Sequence, residues 1–169
     1  MKVITVDLQN KNELNDINDY LVQNDKDILS NISGQNLNSD NNRIVEIAYN
    51  KVNNKISNVC FIDGVRDISF FKLMVSNLSD SSIERNKKFI SEVTNHVLEE
   101  LDAETVAIFS KSEVGLYSDL GYEALGECEG LYTYVRNKTV SKKDGGIRIW
   151  ELVYLLIPIH RSSTVFPQA

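Results

Sequence analysis

The chain has 169 residues, 42% hydrophobic and 25% charged, which fits one globular domain and excludes a disordered or fibrous chain. Its 18 Lys and Arg against 24 Asp and Glu leave a formal charge of −6, so general affinity for DNA or RNA phosphates is disfavoured and no nucleic-acid partner is expected. Cys60, Cys128, His96 and His160 show no CxxC or HxxxH spacing, so no metal site is expected. One disulfide is arithmetically open; two free thiols in a reducing compartment are the alternative. Met1 to Leu8 lacks a signal-peptide core, and the longest apolar run, Leu152 to Ile159, falls far short of the ~20 residues that span a bilayer. A cytoplasmic protein with no membrane partner is expected.

In chain order, residues 3–8 are β-branched and apolar and read as a strand. Asn10 and Glu13 have capping-box spacing, and Leu14, Ile17 and Leu21 then recur at helical intervals. Asn24 to Asn42 is polar, with room for a short helix around Ile28 and Leu29 and a loop at Gly34; it either borders a site or is surface. Residues 43–49 and 55–62 read as an antiparallel hairpin joined by a turn over Asn50 to Asn54, since Asn tolerates left-handed backbone angles. Asp63-Gly64 predicts a turn, and residues 68–75, apolar on both faces, a central strand.

Ser81-Ser82-Ile83-Glu84 carries Ser-x-x-Glu spacing before the clearest helix of the chain, where Phe89, Val93, Val97 and Leu101 repeat every fourth residue. Residues 105–109 read as a strand. Glu113 to Leu120 reads as a short helix closed by Gly121 at the C′ position. Residues 122–125 and 131–136 form two closing strands around Glu129-Gly130. The connection from 68–75 through the long helix to 105–109 demands a parallel pair, while sequential strands pair antiparallel. The fold class is therefore α/β (α+β), with a mixed, mostly antiparallel central sheet of about seven strands flanked by helices. After Lys138 the composition shifts to a flexible linker, Ser141 to Gly146, and then to dense apolar sequence, Ile147 to Ile159. That tail is an extra strand, a docking segment or a later addition; composition leaves all three open.

This order, with Leu116-Tyr117-Ser118-Asp119-Leu120-Gly121-Tyr122, resembles the GNAT family of acyl-CoA N-acyltransferases, whose Leu-Tyr-x-x-Leu-Gly-Phe segment sits on the last helix and the turn into the next strand. Gly130-Leu131-Tyr132-Thr133-Tyr134 is similar to the family's closing hairpin. The resemblance covers residues 1–137 and leaves 138–169 as a linker and tail of unknown role. It implies an N-acetyltransferase that uses acetyl-CoA as co-substrate and passes the acetyl group to a primary amine of a small molecule or protein. The coenzyme would lie where two central strands splay, and Tyr117 matches the tyrosine that protonates the leaving thiolate. A packed aromatic is the alternative for Tyr117.

The resemblance places coenzyme contacts at Met74 and Val75 on the central strand, at Ser81, Ser82, Ile83, Arg85, Asn86 and Lys87 around the start of the long helix, and at Ser110. The family's Arg/Gln-x-x-Gly-x-Gly/Ala loop departs here, because both glycines are missing and Glu84 stands near the first. A carboxylate repels a pyrophosphate; as a helix cap it would instead satisfy backbone donors. Arg85 and Lys87 restore attraction for phosphate or form part of a solvated helix face. Glu46, inside a strand, is the candidate general base, with an exposed position on the outer face as its alternative. His96 reads as a helix residue beside the apolar stripe. The degenerate loop also admits an inactive GNAT-fold binding or regulatory module. A homodimer is left open.

Overall fold

In a computed structural model, residues 1–6, 10–33, 42–76, 82–110 and 115–138 are described. They build one seven-stranded sheet with strand order β1-β2-β3-β4-β5-β7-β6. The strands are β1 (Lys2–Thr5), β2 (Arg43–Val52), β3 (Lys55–Val65), β4 (Phe70–Val75), β5 (Thr105–Ser110), β6 (Glu123–Cys128) and β7 (Leu131–Asn137). The helices are α1 (Lys11–Asn24), α2 (Lys26–Ser33), α3 (Ile83–Asn95) and α4 (Leu116–Asp119). A π-helical turn, His96–Glu100, continues α3, and Leu101 N–H donates to His96 O across it. Among the described residues no helix is long and apolar enough to cross a membrane.

Only β4 and β5 pair in parallel, as the crossover through α3 requires. All six residues of β4 are buried, as its two-sided apolar pattern predicts. Alternation sorts the strand residues onto two faces. One face, with Ala48, Cys60, Phe71, Leu73, Val75 and Ile108, packs under α3 and α4 through Phe89, Ile90, Val93 and Tyr117. The other face, with Ile47, Tyr49, Val59, Phe61 and Met74, packs under α1 and α2 through Ile17, Leu21 and Ile28.

Turn chemistry explains the hairpins. The turn expected over Asn50 to Asn54 narrows to Asn53 and Asn54, at φ of 51° and 62°, because β2 runs on to Val52; Glu129 and Gly130 take 53° and 79° between β6 and β7. Gly121, at φ 82°, ends α4. Its N–H donates to Ser118 O at 3.0 Å, and Tyr122 N–H donates to Tyr117 O at 3.0 Å. These two bonds form a Schellman motif with Gly121 at C′, as its position after Leu120 predicts.

Several expected boundaries move. Asp63 and Gly64 lie inside β3, paired with Lys72 and Phe71 of β4. The glycine is there for packing, because a Cβ on Gly64 would stand 2.1 Å from Phe71 Cδ1. The turn comes later, in a 3-10 segment, Arg66–Ile68, closed by Ser69 at φ 47°, so β4 starts at Phe70. Asp63 is buried by charge pairing: Arg43 Nε and Nη2 donate to its two oxygens at 2.9 and 3.0 Å, and Lys72 Nζ lies 3.8 Å away. Burial pushes the Lys72 pKa down, and Asp63 opposes the shift.

The Asn10-Glu13 capping box does not form. Asn10 is the N-cap residue but its amide donates to Thr5 O at 3.1 Å, and Glu13 pairs with Lys2. Asp25 supplies the cap that sequence reading missed, its Oδ1 accepting from Ile28 N–H at 3.3 Å at the start of α2. Helix α3 starts at Ile83, so Ser82 is its N-cap residue and Glu84 stands one place earlier than a Ser81 box requires. Ser81, Glu113, the loop at Gly34 and the whole tail after Lys138 lie outside the described residues.

Replacing Gly64 by Ala is expected to cost about 1–3 kcal/mol through overpacking. Urea unfolding measures it, and Phe71→Leu in the same background should recover part of the loss. An unchanged midpoint would show that the Phe71 ring moves aside freely.

Candidate functional site

The β4–β5 ladder runs from Phe70↔Thr105 to Met74↔Phe109 and ends one residue before either strand does. Beyond it Val75 stays paired with Cys60 of β3, and Ser110 with Tyr132 of β7. Each central strand therefore follows its outer neighbour past the point where the two stop following each other. Helix α3 begins just after β4, and α4 comes just after β5, so both helix starts gather at this end of the sheet.

Tyr117 lies on α4 with its side chain fully buried. Its ring meets Tyr134 of β7 at 4.6 Å between centroids and Tyr122 edge-on at 6.3 Å. Its hydroxyl is buried without a hydrogen-bond partner of ordinary geometry among the described residues. Burial pushes the phenol pKa well above its ordinary value, and Ser110, at the end of β5, opposes that shift. Tyr122 is raised in the same way by burial, against a 2.7 Å bond between its hydroxyl and Thr94 Oγ1 of α3.

The start of α3 is pinned to the sheet by amides. Asn58 Nδ2 donates to Asn86 Oδ1 at 3.1 Å, with both residues buried. Lys87 reaches across to α4, its Nζ 3.2 Å from Asp119 Oδ2. Arg85 is exposed and makes no ion pair among the described residues. Ile83 is 63% exposed at the first position of the helix. No glycine stands there, and Glu84 lies in the first turn.

Glu46 points to the α3 face, but at the other end of that helix. Its Oε2 lies 2.7 Å from His96 Nε2, and His96 Nδ1 lies 2.9 Å from Glu100 Oε2. Glu46 is thus covered by His96, not left exposed on the outer face. Thr94 and His96 are two residues apart, roughly 200° around the helix axis. The flank of α3 that meets Tyr122 and the flank that meets Glu46 are therefore opposite. Sequence reading named Glu46 and His96 separately; their pairing, 50 positions apart, has no local signal.

No family model and no curated protein matches the sequence. Solved structures do match. The aminoglycoside 6'-N-acetyltransferase from Enterococcus faecium is 11% identical with a TM-score of 0.56, over 85% of this chain and 100% of that one. Tetrahymena GCN5 is 14% identical with a TM-score of 0.54, over 82% and 97%. A dodecameric spermidine N-acetyltransferase from Vibrio cholerae is 9% identical with a TM-score of 0.55, over 80% and 92%. The chain has the GNAT fold.

Within this GNAT fold the expected site residues fall into distinct groups. Val75, Ser110 and Tyr117 converge at the end of the β4–β5 ladder on the α3–α4 face. Ser82, Ile83 and Arg85 stand at the open start of α3, while Asn86 and Lys87 are engaged by Asn58 and Asp119. Met74 faces the opposite layer, under α1 and α2. Cys60 is a buried free thiol whose pKa burial pushes up, which makes it inert, and the Cys128 side chain is outside the description. A cavity of about 400 Å³ lined by Met1, Lys2, Glu13, Tyr49, Asn50 and Lys51 sits at the β1 edge and contains none of these residues. Among the described residues no cluster of His, Cys, Asp and Glu could hold a metal ion.

Because burial raises the Tyr117 and Tyr122 phenols, both are expected to stay protonated while exposed tyrosines ionise. In an unfolded chain they ionise near pH ~10. Stability is then full below that pH and falls as pH rises beyond it, since the unfolded state loses these protons first. Phenolate absorbance against pH checks this. Tyr117→Phe should remove no amplitude from the transition that precedes unfolding.

Proposed function

We propose that this GNAT-fold chain is an N-acetyltransferase that moves the acetyl group of acetyl-CoA to a primary amine of a small molecule or protein. The observation that carries the proposal is the buried hydroxyl of Tyr117, which lacks a bond of ordinary geometry among the described residues at the end of the β4–β5 ladder. Burying a hydroxyl without a partner costs roughly 1–3 kcal/mol, and a ligand atom arriving there would recover it. The solved structures of similar fold include enzymes whose titles name spermidine and aminoglycosides, both amines, in line with such an acceptor.

In the proposed reaction the neutral amine nitrogen attacks the thioester carbonyl, the carbon–sulfur bond breaks, the departing sulfur takes a proton from Tyr117 Oη, and the proton lost by the new amide nitrogen passes to solvent, which reprotonates the phenol. A phenol whose pKa is raised by burial is fully protonated at neutral pH, so it can give up a proton and does not act as a base. Val75 and Ser110 would border the thioester arm, and the first-turn N–H groups of α3 with Arg85 would meet the phosphates. Asn86 supports that turn from beneath through Asn58. Glu46 lies on the opposite flank of α3, bound to His96, so we assign it to holding the helix and not to removing the amine proton. The overall negative charge suits a cationic acceptor.

A second reading, a GNAT-fold binding module without transfer activity, is favoured by one observation: the first turn of α3 carries Glu84 and no glycine where phosphates would approach. Calorimetry with acetyl-CoA separates the two. Micromolar binding, weakened roughly tenfold by Arg85→Glu, is expected for the transferase. No heat at millimolar coenzyme would sink it. Tyr117→Phe should slow transfer roughly 100-fold and leave coenzyme affinity nearly unchanged. Equal rates would remove Tyr117 from the reaction.

A further inference from the structure

The face of the sheet opposite α3 and α4 is covered by α1 and α2 only over β1 to β4. Further along the same face, Phe70, Ala107, Phe109 and Val135 form a separate buried cluster, with Phe70 and Ala107 fully shielded. Lys72, on that face of β4, is buried as well. Among the described residues this cluster contains strand residues and Leu125 of β6, and no residue of α1 or α2. Side chains on a sheet face cannot shield themselves from that side; a second layer must lie over them.

We propose that the C-terminal segment, residues 147–159, is that layer, folding back over the second face of β4, β5 and β7 within the same chain. Composition selects it. The stretches outside the description before Lys138 are short and polar: residues 34–41 contain one apolar side chain, Leu37, and residues 7–9, 77–81 and 111–114 one each; residues 160–169 of the same tail add Val165 and Phe166. Residues 147–159 hold Trp150, Leu152, Val153, Leu155, Leu156 and Ile157.

Geometry allows it. Lys138 leaves β7, the strand that carries Val135, and is tied down by its Nζ donating to Leu98 O at 3.1 Å and to Asp102 Oδ1 at 2.7 Å. Residues 139–146 then reach up to about 26 Å, enough to reverse direction. Residues 147–159 cover about 20 Å as a helix or about 43 Å extended, against a patch roughly 10 Å wide and 20 Å long.

Trp150 is the sole tryptophan, so it reports on the segment alone. In the full chain its emission is expected to be blue-shifted, and its quenching by acrylamide several-fold weaker than in the urea-unfolded chain. Val135→Asp, in the middle of the patch, should raise that quenching several-fold. Because that variant could unfold the sheet, Leu155→Asp with Ile157→Asp gives an independent arm that leaves every described residue intact. Amide exchange in peptides covering 105–110 and 131–137 should then rise several-fold, with a lower melting temperature. Trp150 as accessible as in the unfolded chain, or a double variant with unchanged exchange and melting, overturns the proposal. So does protection of Trp150 that disappears on dilution as a dimer dissociates, because the cover then comes from a second copy.

Discussion

The parallel pairing of β4 with β5 is the constraint on which the rest of the structure depends. A parallel pair cannot be closed by a turn, so the chain must leave one end of β4 and return at the other before β5 starts. That obligation creates α3, sets its direction antiparallel to β4, and brings its first turn to the end of the central ladder. The helix is fixed at both ends by polar pairs, Asn58 with Asn86 and Glu46 with His96. Between them, Phe89, Ile90 and Val93 bind it to the sheet through apolar packing. The ladder can stop at Met74 and Phe109 because Val75 and Ser110 keep their outer partners, so an opening in mid-sheet leaves neither strand without a neighbour.

Much of this was legible in the sequence because it is local. Two-residue alternation, four-residue apolar repeats, Asn53-Asn54 and Leu120-Gly121 each specify a conformation from neighbouring residues. The misreadings share a cause. Gly64 reads as a turn residue when it is a strand residue making room for Phe71, and Asp63 reads as a turn residue when it is buried by Arg43 and Lys72. In both cases a partner distant in sequence decides. Tyr117 was legible as a candidate through its motif, but its unsatisfied burial was not. Glu46 was legible as a carboxylate in a strand, while the face it occupies and its His96 partner required the helix to be in place.

The three solved structures named above share between 9% and 14% identity with this chain and yet cover at least four-fifths of it. Such distance is tolerable because the elements are fixed by alternation and turn chemistry, which many sequences satisfy. What that leaves undetermined is the chemistry at the edges of those elements. Here the first turn of α3 combines an exposed Arg85 with Glu84, a mixture in which one charge attracts phosphate and the other repels it.

The side chain of Tyr117 is held firmly everywhere except at its oxygen, which meets Ser110 without a bond of ordinary geometry. The backbone is locked because its carbonyl accepts from both Leu120 and Tyr122, and the ring is wedged between Tyr122 and Tyr134. The one torsion left to it, rotation of the hydroxyl hydrogen about the C–O bond, is set by no bond of ordinary geometry among the described residues. Reorienting a dipole of this kind requires no side-chain repacking and no broken protein bond. The direction of the O–H is therefore an adjustable element in an otherwise rigid frame, able to turn between Ser110 and a lone pair presented from elsewhere.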